Sequence, residues 1–307
     1  MTLEEVVAKF NTTPFLFAGS GITRRYYGLP DWIGLLTYFA QKVKRDQFAF
    51  QYYENKVKEM DNVDKLPEIA GYIEKDFNEE WFKNSHEIRT ELQEVQDAVA
   101  NGVSPFKAEI AAYISSLSVV KSEYKDEVKK LLKIAKNNIS GVITTNYDCF
   151  FEKLFEGYKA FIGQDELVFS QLQGIAEIYK IHGSVNFPDS IVINQADYQL
   201  FRDKGKYLAA KLMTIFMEYP IIFMGYSISD PNIQGILGDI VECLPPEKVE
   251  ALKKRFVFVD YQSDYTDCEV STHSLVIKGK VIEMTKVVLS DFGILYDVLS
   301  IKKRLFQ

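Results

Sequence analysis

The sequence predicts an α/β fold: a doubly wound, mostly parallel, Rossmann-like sheet with a large helical insertion after the first strand. Three observations predict it. Short apolar runs recur along the chain without polar alternation, which suits strands covered on both faces. Helical patterns lie between several of these runs, the order expected of strand–helix–strand units. One stretch of different texture, rich in Lys, Glu, Gln and Tyr, separates the first run from the second.

The runs, in chain order, are Pro14–Ala18, Gly141–Thr144, Ile178–Ile181, Ile221–Met224, Arg255–Val259 and Val281–Met284. Helices are expected over Tyr207–Met217, before the fourth run, and Asn232–Val241, after it. The stretch 33–140 is expected to form a smaller helical lobe within one domain spanning 1–307. Phe106, Ile110, Tyr113 and Ile114 show helical spacing there, behind a cap at Ser104 and Pro105. The many charges of this stretch are expected on a solvated face.

Composition narrows the classes of function. The 22 Phe and 18 Tyr argue against disorder and for a substantial core. A formal net charge of −7 repels phosphate backbones, so nucleic acid is a poor ligand for the chain as a whole. Cys149, Cys243 and Cys268 are too scattered for a disulfide framework and contain no CxxC pair for a zinc ribbon. The start MTLEEVVAKF lacks a secretory signal, and no stretch approaches the ~20 uninterrupted apolar residues of a membrane helix. A cytoplasmic location is the default expectation.

Four motifs follow expected strands, where ligands sit in open α/β sheets. Gly19-Ser20-Gly21-Ile22-Thr23 reads either as a phosphate cradle at a helix start or as a structural tight turn. Arg24 and Arg25 behind it add phosphate partners or an exposed pair. Thr144-Thr145-Asn146-Tyr147-Asp148 offers an amide for a ribose hydroxyl or water, or else capping residues. Lys180-Ile181-His182-Gly183-Ser184 places an imidazole between strand and turn, where an unperturbed pKa suits general base work. His86 and His273 read as surface residues. Gly225-Tyr226-Ser227 with the following SDPN holds either a phosphate or ribose, or a helix cap. Asp260, ending the fifth run, is a ribose acceptor or a solvated carboxylate.

Together these motifs resemble the sirtuin superfamily. Gly19 to Thr23 followed by Gly28-Leu29-Pro30-Asp31-Trp32 looks like the sirtuin loop GAGxS…GIPDF, with one more residue in the spacing that carries Arg24 and Arg25. Residues 144–148 are similar to TxNxD, 180–184 to the catalytic KxHGS, and 225–227 to the GxS turn. The sirtuin deacetylases carry a zinc ribbon after HG; here Val185–Tyr198 contains no cysteine. The large helical insertion resembles the sirtuin-like NADases of antiphage systems, of the Thoeris and defence-associated sirtuin kind.

The resemblance implies cleavage of NAD⁺ to nicotinamide and ADP-ribose, with Asn146 and His182 catalytic and no metal. It implies that Gly19, Ser20, Gly21, Thr23, Arg24, Asp31, Thr145, Asp148, Gly225, Ser227 and Asp260 hold the substrate. It also implies an abortive-infection effector, a homo-oligomer and activation by a partner or sensor subunit, with Ile301–Phe306 or the insertion as contacts. The chain ends soon after its last expected strand, with little room for a sensor of its own. An NAD-dependent deacylase or ADP-ribosyltransferase, and a non-catalytic NAD or ADP-ribose sensor, are the alternatives.

Overall fold

A computed structural model describes residues 1–61, 64–83, 88–168, 170, 174–227, 231–245 and 249–301, with only the backbone of 231–233. The fold is α/β, with a sheet of eight strands among these residues. They are β1 (Phe15–Ala18), β2 (Gly141–Thr144), β3 (Lys159–Ile162), β4 (Glu177–Lys180), β5 (Ile221–Met224), β6 (Phe256–Tyr261), β7 (Glu269–Ile277) and β8 (Lys280–Leu289). Their order across the sheet is β3-β4-β2-β1-β5-β6-β8-β7, parallel throughout except for the antiparallel β7–β8 hairpin.

The expected strands all lie in this sheet. The two that were not expected, β3 and β7, are its two edges. An edge strand of a sheet has one hydrogen-bonded neighbour, and here each edge strand also carries exposed polar residues, so neither reads as a continuous apolar run. β1, β2 and β5, by contrast, are buried at every position.

Alternate residues of each central strand feed two cores. Leu16, Ala18, Val142, Ile222 and Met224 pack into a cluster shared with the helices between β1 and β2. Phe15, Phe17, Ile143, Ile221 and Phe223 pack into the other. Those helices are α2 (Ser20–Tyr27), α3 (Trp32–Lys44), α4 (Ala49–Val57), α5 (Lys65–Phe82), α6 (Gln93–Ala100), α7 (Pro105–Ser116) and α8 (Lys125–Ala135), after α1 (Leu3–Ala8) at the start. The opposite face is covered by helices that follow β4 and β5. They are α11 (Lys206–Glu218), preceded by α10 (Gln195–Lys204), and α12 (Pro231–Cys243); α9 (Phe150–Leu154) follows β2, and α13 (Phe292–Ile301) closes the chain.

The expected helix at Phe106 is α7, with proline in its first turn, but Ser104 does not cap it. Asn78 of α5 does, its Oδ1 accepting from the Phe106 amide at 2.9 Å, while the Ser104 hydroxyl donates to Glu74. Some charges of this stretch are not solvated. Lys107 is paired with Asp197 of α10 at 2.7 Å, and Glu109 accepts from the Trp81 indole and the Thr90 amide. Both side chains are buried. His273 lies half-buried in β7, and His86, Ser229, Asp230 and most of the Ile301–Phe306 tail lie outside the described residues.

Candidate active site

Register decides where the motifs emerge. Ala18, Thr144, Lys180 and Met224 stand side by side at the carboxyl ends of β1, β2, β4 and β5. The residues after them therefore leave the sheet at one edge, around β1, where the strand order turns. They enclose a cleft of about 170 Å³ lined by Ser20, Thr23, Asp31, Thr145, Asn146, Asp148 and His182. The rest of its wall is Leu29, Pro30, Trp32, Tyr147 and Tyr226 from the motifs, with Leu35, Ile114 and Tyr198, which no motif indicated.

Asn146 is the most constrained of these groups. Its Nδ2 donates to the Gly19 carbonyl at 3.0 Å and to Thr23 Oγ1 at 3.3 Å, and its amide donates to Thr144 Oγ1 at 3.0 Å. Thr144 is itself anchored, its hydroxyl donating to the Ala18 carbonyl at 2.7 Å. A backbone carbonyl can only accept, so it dictates which end of the amide faces it. The remaining atom, Oδ1, makes no hydrogen bond among the described residues, on a side chain that lines the cleft.

Asp148 does not stand free. Its Oδ1 accepts from the Phe150 amide at 3.0 Å, and burial pushes its carboxyl up, against the pull of Lys180 and a hydrogen bond from Thr23. Lys180, the first residue of the KxHGS run, is wholly buried and faces away from chemistry. Its ammonium donates to the Asp148 carbonyl and is paired with Glu152 at 2.9 Å. It braces the loop that carries Asn146.

His182 is 6% exposed, and burial lowers its imidazole to about 4. The base of near-neutral pKa expected from an unperturbed histidine is therefore corrected: this ring is neutral across the physiological range. Its side chain makes no hydrogen bond among the described residues and stands edge-on to Tyr198 and Phe201, each 5.4 Å between centroids. Gly183, at φ +95°, is required: a Cβ there would lie 2.2 Å from the Ser190 carbonyl. The turn it permits brings the Val192 amide back to the His182 carbonyl, and Tyr147 donates to the Val192 carbonyl at 2.7 Å. Residues 183–192 thus fold back onto the strand end that carries His182.

The glycines serve the protein as well as any ligand. A Cβ on Gly19 would meet the Gly225 carbonyl at 2.6 Å, one on Gly21 at 2.8 Å, and one on Gly225 the Ile22 amide at 2.7 Å. The Gly21 amide donates to the Gly225 carbonyl at 2.9 Å. The two turns lock backbone against backbone, and Tyr226 reinforces them by meeting Thr145 Oγ1 at 2.8 Å.

Arg24, Arg25, Ser227 and Asp260 are not among the residues that line the cleft. Arg24 is exposed and pairs at 3.6 Å with Asp31, which also caps α3 through the Gly34 amide at 2.7 Å. Arg25 is held by both carboxylate oxygens of Glu127 and by the Tyr261 hydroxyl, with Tyr124 stacked at 4.3 Å. It is a structural residue and not a phosphate partner. Asp260 pairs with Lys286 at 2.8 Å, and neither it nor the exposed Ser227 is among the residues that line the cleft.

Residues 140–273, which carry Asn146, Asp148, His182 and Gly225, match the model of the SIR2-like domain family. Three similar proteins share the name NAD(+) hydrolase ThsA. That of Enterococcus faecium is 34% identical over 104 residues, covering 32% of this chain and 21% of the relative. That of Acinetobacter baumannii (strain 532279) is 30% identical over 112 residues, covering 35% and 23%. That of Bacillus cereus (strain MSX-D12) is 29% identical over 101 residues, covering 32% and 21%. The matched segment spans about a fifth of the length of these curated relatives. The resemblance of the chain to sirtuin-like hydrolases is borne out by both comparisons, the family match covering the motifs after residue 140.

Proposed function

We propose that the chain is an NAD⁺ glycohydrolase that cleaves the N-ribosyl bond to give nicotinamide and ADP-ribose. The observation that carries this reading is the locked amide of Asn146, whose free Oδ1 shares a cleft with a buried, neutral imidazole. The leaving nicotinamide departs neutral from a cationic substrate, so no strong acid is needed. The transition state resembles the oxocarbenium ion of glycoside hydrolysis. What the protein must do is hold the ribose, position one water and exclude other nucleophiles.

Asn146 Oδ1 accepts from that water and so aims the water's lone pair at the anomeric carbon; the C–O bond forms as the C–N bond to nicotinamide breaks, and the surplus proton of the water is lost to solvent. The neutral His182 accepts from a ribose hydroxyl, and it can do so at any pH above about 4. Thr23 and Asp148 hold the Asn146 loop. Ser20, whose amide and hydroxyl have no partner among the described residues, faces the pyrophosphate with Gly19 and Gly21, and Thr145, Asp31 and Arg24 border it. Gly225, Ser227 and Asp260 extend the site toward the adenosine. The tight turn at 183–192 leaves no ribbon wall for an acyl peptide, which supports hydrolysis over deacylation.

In the cell this activity fits an abortive-infection effector of antiphage defence. It would act as a homo-oligomer switched on by a partner or sensor, since unrestrained NAD⁺ loss would harm the host. The test is NAD⁺ consumption by the purified chain beside Asn146→Ala, with products separated by chromatography. Nicotinamide and free ADP-ribose, abolished by the substitution, are expected. Turnover surviving Asn146→Ala, or transfer of ADP-ribose to an acyl group or protein, would sink the assignment.

A further inference from the structure

His182 and Tyr198 line two cavities. Beyond the cleft, on the side of the sheet covered by α11 and α12, is a chamber of about 500 Å³. That is within the roughly 300–1,000 Å³ of ordinary ligand pockets. Its floor is apolar: Leu208, Leu212 and Ile240 are buried members of the second core. Its lining also includes three cations, Arg202, Lys206 and Lys278, against one acid, Asp239, already 3.3 Å from Lys278. Lys206 is exposed and has no ion-pair partner among the described residues.

The partition between chamber and cleft is made of rings. Phe201 and Tyr198 stand edge-on to His182, and Tyr198 tilts against Trp32 at 6.0 Å. Tyr198, Phe201 and Arg202 sit at helical spacing on α10, so one face of that helix borders the chamber. None of its side chains is buried; it is held by the Asn194 cap and by the pair between Lys107 and Asp197. A helix so lightly packed responds to what lies beneath it.

We propose that this chamber is a second ligand site, for a small amphipathic carboxylate, and that its occupant acts on the catalytic cleft through Tyr198 and His182. The apolar floor takes the chain, and Lys206 with Arg202 takes the carboxylate. A head without charge would waste the cationic mouth. The coupling rests on the NAD⁺ hydrolase reading, but the site itself does not.

The experiment titrates octanoate into the full chain, read by calorimetry and by the imidazole proton resonance of His182, assigned by its loss in His182→Phe. Saturable binding that shifts this resonance is expected. Octanamide and the exposed-site variant Lys206→Glu should each bind about tenfold more weakly, the scale of a lost charged hydrogen bond. Ala209→Trp, which fills the chamber from an exposed position on α11, should abolish binding. Octanoate should lower NAD⁺ turnover in the wild type and leave Ala209→Trp unaffected. Non-saturable binding, equal binding of octanamide, or an unmoved His182 resonance would overturn the proposal. Binding without any NAD⁺ turnover would overturn only the hydrolase reading, and turnover without binding only this one.

Discussion

Asn146→Asp is the most informative single change, because it swaps one NH₂ for one oxygen and alters little else. The wild-type Nδ2 faces the Gly19 carbonyl at 3.0 Å and Thr23 Oγ1 at 3.3 Å. An ionised aspartate has no proton for either. The Gly19 carbonyl would keep only its Ile22 amide donor at 3.1 Å and would face a carboxylate oxygen, a repulsion that favours the protonated acid. The new charge would also face Asp148, whose carboxyl burial already pushes up. Both effects raise the pKa of the introduced acid.

Once protonated, the same side chain donates to Gly19 and presents its other oxygen to the cleft, restoring the native arrangement. The variant should therefore lose about 10²-fold or more in NAD⁺ turnover near pH 8. It should recover part of that loss as the pH falls toward about 6, with its unfolding midpoint rising toward that of the wild type. The wild type provides the baseline, since the folded His182 does not titrate in that window and its unfolded-state titration is common to both chains. Turnover and unfolding midpoint measured side by side across this range form the assay. Wild-type behaviour near pH 8, or a deficit the same at every pH, would refute the amide orientation on which the mechanism rests.

Three further outcomes follow from the same geometry. The His182 imidazole is held at about 4 against 6.5 when unfolded, so the unfolded chain binds its proton first. Its contribution is complete above pH 6.5 and is lost as the pH falls to about 4. That amounts to about 3 kcal/mol, which denaturant titrations of wild type and His182→Phe would reveal as a slope present only in the former. Gly183→Ala should destabilise by about 2 kcal/mol or more in chemical denaturation, because φ +95° and the Ser190 carbonyl at 2.2 Å both oppose a Cβ; an unchanged midpoint would contradict the turn described. Lys180→Met should cost about 3 kcal/mol or more by leaving Glu152 unpaired, and a variant as stable as wild type would show that the ammonium does not brace the loop.

Much of the sheet was legible because its central strands are buried on both faces and so are written in Phe, Ile and Val. β7 escaped because the run EVSTHSLVI, at an open edge, is polar throughout Ser271–Ser274, and β3 because KAFI is half-exposed. Asn146, Asp148 and His182 were legible as motif residues at strand ends. Their states were not: nothing local to His182 announces that Tyr198 and Phe201 will enclose it. Arg25 misled for the same reason. Its partner Glu127 lies about a hundred residues away on α8, and only the fold brings the two together.

The interlock of Gly19, Gly21 and Gly225 has a consequence for how the cleft can change shape. With no side chain between them, the turn after β1 and the turn after β5 have no slack, so one cannot shift while the other stays. Whatever displaces the turn that faces Thr23 and Asn146 must displace Gly225 and its neighbour Tyr226 as well. The walls that these two turns contribute to the cleft are thereby one unit.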